Sequence, residues 1–541
     1  MKLDDFLCSH GAREFEKLIE KAIDFIGSES IIVDPGDMTD ITTKSWELIH
    51  QVNKGHPQIF RFGNTLAVLE PENNNAGYHI TMLDNYKLRH KLTRLGNWLY
   101  YKGKRLCPYV HTITVLEDIL AVLDQGVPYL KGIAPVPVFA PDGTLVTEPG
   151  YCSKTGFFYC PPKNFVLPKI NRNPTAAELE AAKRLILEEL LVDFPFVGRA
   201  EISHVVALLV LSFVRNMING PTPLHLIEKS TVGTGATLLA RAISYICTGG
   251  EFTVLAEGKD SEEMRKRITS VLITAPWFLV LDNLNRVLDS SALATILTAT
   301  YWEDRILGQS KHLRIAVWCA WVATGNNPTL SYEITRRTIR SRLDAKTETP
   351  HLRDASQFKH YPLLPWVMEN RAALVGAVLT LVQYWIAKGR PESKKSLGGF
   401  ESWAAVIGGI LECVGIEGFL ENTLDFYDDV QTEQEQKKVF VAAWFKRFGE
   451  RDITASKLFE INEVYDAIAG FNETNTDRSA KTRLGFFIKK LKDQVFQLEL
   501  EKERVTVIVC KSRRKIENST AWKLEVVQRK PTVITLKKQG G

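Results

Sequence analysis

From Pro223 onward, short strand-like runs alternate with stretches of helical periodicity. LHLIE is followed by a helix from Ala236 to about Cys247, FTVLAE by a helix from Glu262 to Leu272, and FLVLD closes the series. Parallel strands need long crossover connections, usually helical, so this alternation predicts a mainly parallel sheet with helices on its faces. The first strand–helix joint is the glycine-rich turn STVGTGATLL, from Ser230 to Leu239.

A chain of 541 residues exceeds what one hydrophobic core organises, so several units are expected. With 45% apolar and 24% charged residues the composition is that of a globular protein, which excludes disordered and collagen-like classes. Residues 1–134 mix a helix (Ala12 to Ile26), strand-like runs such as IFRFGNTLAVLE and a basic patch, and are expected to form an N-terminal α/β domain. Residues 135–220 hold a hairpin joint marked by the prolines and glycines of APVPVFAPDGTLVTEPGY. In the same stretch a capping box of Thr175 and Glu178 opens a helix running to about Leu191, and an apolar helix follows from about Ile202 to Met217. Residues 221–361 are the alternating core, and 362–430 read as a lid of bundled helices. After the polar stretch QTEQEQKK, residues 431–541 give VFVAAWFKRF, SKLFEI and the basic helix RLGFFIKKLKDQVF, then ERVTVIVC, KSRRK and WKLEVV: three helices and a strand pair with a basic tip, the pattern of a winged helix.

The apolar runs Val205 to Val214 and Ala372 to Ala387 fall short of the roughly 20 residues a bilayer needs and read as buried helices. The charged start, MKLDDFLCSHGAREFEK, does not resemble a secretory signal, so a cytoplasmic location without a membrane partner is expected. Eight cysteines lie scattered without a C-x-x-C pair, which argues against a structural zinc. DPGDMTD offers three aspartates whose expected use is turn capping.

A phosphate-binding loop needs glycines so that successive N–H groups converge on the phosphates, and a following helix whose N-terminal dipole adds positive potential. Gly233, Thr234 and Gly235 supply the turn, and Thr237 stands where the Mg²⁺-binding hydroxyl belongs in G-x-x-x-x-G-K-S/T. Ser230, Thr231, Val232 and Ala236 complete the candidate nucleotide-binding segment, with Ser230 replacing the first glycine and Ala236 replacing the lysine. Without that ammonium the loop still offers N–H groups and magnesium but lacks a charge on the transferring phosphoryl group. FLVLD ends in Asp282, suited to holding Mg²⁺ through water, and VWCAWVATGNN ends in Asn326, placed to orient an attacking water. In ITRRTIRSRLD, Arg336, Arg337, Arg340 and Arg342 are candidates to complete a neighbouring subunit's site.

PDGTLVTEPGY, STVGTGATLLARAI, FLVLDN, LTATYWEDRILGQS, WVATGNN and RSRLDAKTETPHLR together resemble the ATPase core of primase-helicases and replicative helicases carried by phages, plasmids and integrated mobile elements, relatives of superfamily 3 and AAA+ helicases. The resemblance spans about Ala134 to Leu420. It implies an α/β protein with a P-loop AAA+ core, an N-terminal α/β collar and a C-terminal winged helix, using ATP and Mg²⁺ as a DNA-translocating ring hexamer. Arg336 or Arg337 then reaches the neighbour's ATP, and a separate primase or polymerase is an expected partner. The family loop ordinarily reads GTGKT; Ala236 reflects natural loss or deliberate replacement, and the intact surroundings favour replacement. Asn283 stands where most AAA+ proteins have a catalytic Glu, with Glu303 or Asp304 as substitutes or as plain surface carboxylates.

In the resembling helicases an insertion between the strands ending at Asp282 and Asn326 forms a pore hairpin, which makes Lys311, His312 and Arg314 DNA-tracking candidates; the alternative is a solvated loop. Residues 431–541 carry 23 Lys and Arg against 15 Asp and Glu, a local balance of +8 in a chain of net charge +5. Arg483, Lys489, Lys490 and Lys492 on the third helix, and Lys511, Arg513, Arg514 and Lys515 at the wing tip, are candidate phosphate contacts. From Lys87 to Arg105 basic residues interleave with Trp98, Tyr100 and Tyr101, as on a stacking surface for single strands or an aromatic core beside a basic face. The reading is an ATP-dependent DNA helicase whose hydrolysis is impaired by Ala236, the alternative a non-hydrolysing ATP-binding scaffold or origin-recognition factor.

Overall fold

The structure is a computed structural model that describes residues 30–72, 77–284, 287–305, 312–461, 484–485, 487–489, 491–500, 503–516 and 519–531; the helix expected over Ala12 to Ile26 lies outside them. The chain divides into two compact units, Met1–Thr423 and Leu424–Gly541.

The first unit begins with β1 (Ser30–Ile32), α1 (Met38–Val52), β2 (Ile59–Phe62), β3 (Thr65–Pro71), β4 (Tyr78–Met82), α2 (Asn85–Leu95), β5 (Asn97–Lys102), β6 (Arg105–Pro108) and α3 (Ile113–Ala121). Two three-stranded sheets result, β1-β5-β6 and the meander β2-β3-β4. The aspartates of DPGDMTD serve the backbone: Asp34 accepts from Gly36 N–H and Asp37 caps α1 through Thr39 and Asp40 N–H. In the basic run, Trp98 is buried in the core with its Nε1 donating to Leu92 O at 2.8 Å, while Tyr101 stays exposed. The joint contains β7 (Gly132–Ala134), the small hairpin β8 (Val138–Phe139) with β9 (Leu145–Val146), β10 (Gly150–Cys152) and β11 (Phe157–Tyr159).

Next, α4 (Ala176–Arg184) opens on the complete Thr175/Glu178 capping box and continues as a π-helical turn over Leu185–Leu190. The following helix, α5 (Arg199–Val214), is apolar on every side because it is enclosed on every side; with its 3-10 extension to Met217 it has the length and composition of a membrane span but lies in the core.

The remaining elements of this unit are β12 (Leu224–Lys229), α6 (Ala236–Thr248), β13 (Thr253–Val254), α7 (Ser261–Leu272), β14 (Phe278–Leu284), α8 (Ser291–Leu297), β15 (Tyr301–Arg305), β16 (His312–Ala316), β17 (Ala320–Asn326), α9 (Tyr332–Thr335), β18 (Thr338–Leu343), α10 (Leu363–Glu369), α11 (Arg371–Ala387) and α12 (Glu401–Cys413). The expected parallel sheet is present with order β13-β14-β17-β12-β18. Every residue of its inner strand β12 is buried, as a strand covered on both faces requires. The helices after Pro362 share one core with α5, α6 and this sheet, through side chains such as Leu374, Val378, Trp385 and Trp403.

In the second unit α13 (Thr423–Phe448) runs unbroken through QTEQEQKK, because Glu, Gln and Lys are good helix formers and polarity alone ends nothing. β19 (Ile453–Thr454) and α14 (Ala455–Leu458) follow, then β20 (Val495–Glu499), β21 (Glu503–Ile516) and β22 (Ser519–Pro531). The antiparallel order is β19-β22-β21-β20. The basic helix expected to include Val495 and Phe496 ends before them. Phe496 and Leu498 are buried while Val495, Gln497 and Glu499 are exposed, a period of two that fits a strand on β21.

Candidate nucleotide site

β12 and β17 lie in parallel register from Leu224 opposite Trp321 to Lys229 opposite Asn326, so their carboxyl ends finish level. From β12 the chain crosses to the far edge at β13, whereas from β17 it crosses β12 to β18. The two connections therefore leave in opposite directions, and the crevice above these strand ends is where open α/β sheets bind ligands.

The glycine-rich turn occupies that crevice. Gly233 and Gly235 have φ of +89° and +102°, and a Cβ on Gly233 would stand 3.0 Å from His351 Cβ. Both demands select glycine. Gly235 is the N-cap of α6, and the helix's first N–H groups have no intrahelical acceptor, leaving donors for an anion. Turn and sheet are tied together by Ser230 Oγ donating to Asp344 Oδ1 at 2.9 Å and Thr234 Oγ1 donating to Thr231 O at 2.6 Å. The Lys346 N–H and then the Ser230 hydroxyl hold the Asp344 carboxyl below the usual carboxylate range. Thr231 is half-buried and Val232 exposed, at the crest of the turn.

Thr237, in the first turn of α6, donates to Asp282 Oδ1 at 2.9 Å, and Thr324 of β17 donates to the same oxygen at 2.6 Å. Thr324 Oγ1 also accepts from Asn283 N–H at 2.8 Å. Asn283 sits at φ +56°, a left-handed conformation that Asn adopts more readily than most residues. Thr324 was missed by sequence reading; only strand register places its hydroxyl beside Asp282. The oxygen donors of Thr237 and Asp282 suit Mg²⁺, which takes few protein ligands and keeps waters and phosphates. Among the described residues no group of three or more His, Cys, Asp or Glu offers a softer metal site.

Asn326, with its amide nitrogen toward the turn, reaches Ser230 O at 2.9 Å and Lys229 O at 3.0 Å. Asn327 reinforces this with its N–H on Lys229 O at 3.0 Å. Ala236 is buried in the core. Beside the turn opens a cavity of about 770 Å³, within the size range of nucleoside-sized ligands. Phe194, Pro195, Leu238 and Leu364 give it apolar walls, and Arg353 and His360 stand at its polar side. His360 is stacked on Trp366 and bonded to Glu189 at 2.9 Å, which fixes its ring.

The arginines of ITRRTIRSRLD separate. Thr338 lies opposite Leu224, so Arg336 and Arg337 flank the amino end of β12, at the opposite edge of the sheet from the turn; both pair with Glu333. Arg336 is half exposed. Arg340 is buried 3.6 Å from Glu228, which removes it from the set able to reach another subunit, and Arg342 lies 3.8 Å from the same carboxylate.

Between Asp282 and Asn326, Tyr301–Arg305 and His312–Ala316 pair as the antiparallel strands β15 and β16, while residues 306–311 lie outside the described ones. Trp302, Leu313 and Ile315 are buried, and His312 and Arg314 are exposed. Arg314 pairs with Glu303 at 3.0 Å and lies 4.6 Å over the Tyr301 ring; Asp304 is engaged by Thr269 and Arg265. Neither carboxylate is at the turn. Lys311 lies outside the described residues. The hairpin rests on the β2–β3 turn: Asn64 Nδ2 donates to His312 O at 2.7 Å, and a Cβ on Gly63 would stand 2.5 Å from Arg314 O.

In the second unit Lys489, Lys492, Lys511 and Arg514 are exposed, Lys492 beside Asp493 at 3.2 Å. Arg483 and Lys490 lie outside the described residues, as do the side chains of Arg513 and Lys515.

No family model matches the chain, and no curated protein matches it. Among solved structures it is similar to the apo C-terminal region of NrS-1, residues 305–718, at 10% identity and TM-score 0.33 over 88% of this chain and 98% of that one. It is also similar to the SCCmec type IV Cch active helicase, at 13% identity and TM-score 0.28 over 82% of this chain and 81% of that one. The JCV helicase with a bound thiazolopyridine compound is 14% identical with TM-score 0.19, over 44% of this chain and 67% of that one. Likenesses this slight carry nothing over to individual residues, and the site stands on its own geometry.

Proposed function

We propose that the chain is the ATP-binding motor of a DNA helicase of the mobile-element kind, working as a ring of identical subunits, hexameric by the family resemblance. The observation that carries this reading is the convergence of Thr237 and Thr324 on one oxygen of Asp282, directly beside a left-handed glycine turn at the sheet's switch point. N–H groups from Gly233 to Thr237 and the α6 dipole hold the phosphates. Thr237 and Asp282 hold Mg²⁺, which draws charge off the phosphates when bound. The cavity lined by Phe194 and Leu238 takes the base and sugar. Asn326 orients water in this scheme, Arg336 or Arg337 serves a neighbouring subunit, and the β15–β16 hairpin carries Lys311, His312 and Arg314 to a strand of DNA. Residues 1–134 are the collar and residues 431–541 a winged helix on duplex DNA, with a separate primase or polymerase as partner.

The test compares the chain as it stands with its Ala236→Lys variant for MgATP binding, DNA-stimulated hydrolysis and strand unwinding. Turnover gained in the variant supports a motor. If neither form binds ATP, the nucleotide reading is wrong; if both bind and neither hydrolyses with DNA present, the motor reading falls.

A second reading, an ATP-binding scaffold that fixes an assembly without hydrolysis, is favoured by one feature. Asn283 occupies the position expected for a general base, and a neutral amide cannot take a proton from water.

A further inference from the structure

Ala236 removes the ammonium expected at the start of α6, yet the fold brings another lysine to the same turn. Lys229 is the last residue of β12 and the one immediately before Ser230. It is only 9% exposed. Side chains alternate along a strand, so Lys229 shares a face with Ile227, which packs in the core with α6 residues Leu239 and Ile243. Register places Thr324 beside Ile227 and Asn326 beside Lys229. Thr324 is the residue whose hydroxyl meets Asp282, and Asp282 meets Thr237 of α6. Lys229 therefore rises on the face of the sheet that carries Thr237, Thr324 and Asp282, beneath the turn from Ser230 to Gly235. The carboxylate next to it in sequence, Glu228, projects to the opposite face and is engaged by Arg340 and Arg342.

Among the described residues the Lys229 ammonium makes no hydrogen bond or ion pair, although its carbonyl is bonded by Asn327 N–H. The stem of Lys229 is largely buried, which holds its ammonium near the turn, and an anion arriving there would give that charge a partner. A lysine on its flexible four-carbon stem is the side chain that can follow such an anion as it enters. Ala236 is consistent with this arrangement: with alanine at the start of α6, no second like charge shares the phosphate pocket with Lys229.

We propose that Lys229 supplies the phosphate-binding cation of this site, reaching the nucleotide's phosphates from the strand side of the turn in place of a lysine at position 236. This rests on the reading of the turn as a nucleoside triphosphate site.

The experiment measures calorimetric affinities for MgATP and for adenosine in the parent chain, Lys229→Met, Lys229→Arg, Ala236→Lys and the Lys229→Met/Ala236→Lys double variant, each with a thermal melt to establish folding. Loss of one charge-assisted contact is expected to weaken MgATP about tenfold to a hundredfold in Lys229→Met while leaving adenosine affinity unchanged. Lys229→Arg retains MgATP affinity within a few fold. Adding Ala236→Lys to the Met variant restores most of what was lost, because either lysine can then serve the phosphates. If the parent binds MgATP and folded Lys229→Met binds it equally well, Lys229 has no such role. Should Lys229→Met fail to fold, the same comparison is made with Lys229→Gln; equal MgATP affinity there overturns the proposal. If none of the five proteins binds MgATP, the nucleotide site itself is refuted.

Discussion

Thr237 and Asp282, 45 residues apart in sequence, share a hydrogen bond of 2.9 Å at the mouth of the sheet. One belongs to the first turn of α6 and the other to the end of β14, so the contact reports that helix and strand are placed correctly around the turn. Asp282→Asn is expected to abolish the magnesium dependence of ATP binding and to lower any hydrolysis in the Ala236→Lys background about a hundredfold or more. Titrating Mg²⁺ against ATP affinity is the check; an unchanged magnesium requirement would show that Asp282 is not near the metal.

Thr324 has a structural duty beside this one. Thr324→Val removes the donor to Asp282 and leaves the Asn283 N–H without its acceptor, at a cost of about 1–3 kcal/mol. Denaturant melts should register the loss, and Thr324→Ser should recover most of it.

Gly233 combines a φ of +89° with a Cβ position 3.0 Å from His351 Cβ. Gly233→Ala is therefore expected to cost on the order of 1 kcal/mol of stability and to weaken MgATP binding more than adenosine binding. Equal losses for both ligands would point to collapse of the neighbouring cavity instead.

Burial pushes His225 down to about 3 and His111 to about 4. Both are neutral in the fold over a range where the unfolded chain, with ordinary histidine values near 6.5, takes up protons. The unfolded state then binds more protons, so stability is full above about pH 6.5 and is lost as pH falls toward 4. His225 alone contributes on the order of 2 kcal/mol of that loss at pH 5. His225→Phe, which keeps a ring against Trp403, should flatten the decline in melting temperature between pH 7 and 5. An unaltered decline would remove His225 as a cause.

The β15–β16 hairpin is clasped by the Gly63–Asn64 turn but leaves His312 and Arg314 exposed. Arg314→Ala in the Ala236→Lys background is expected to slow unwinding severalfold without changing MgATP affinity. Unwinding at the parental rate would confine Arg314 to its pairing with Glu303.

Much of this was legible locally. The capping box at Thr175, the glycine turn, the strand ending in Asp282 and the helix at Ala236 all follow from neighbours within a few residues, where propensity and backbone geometry act. Boundaries were less legible: QTEQEQKK looked like a break and lies inside a helix, while Val495 and Phe496 looked helical and joined a strand because β21 was there to pair with them. Those outcomes depend on partners far along the chain.

The sequence by itself determined that a parallel sheet would form and that its first strand would end in a glycine turn facing a helix, since alternation and φ demands are properties of short segments. Tertiary structure alone decided what gathers around that turn. Register between β12 and β17 set Thr324 against Asp282 and Lys229 beside Asn326, because in a parallel sheet the side chains that share a face are chosen by strand pairing rather than by closeness in sequence.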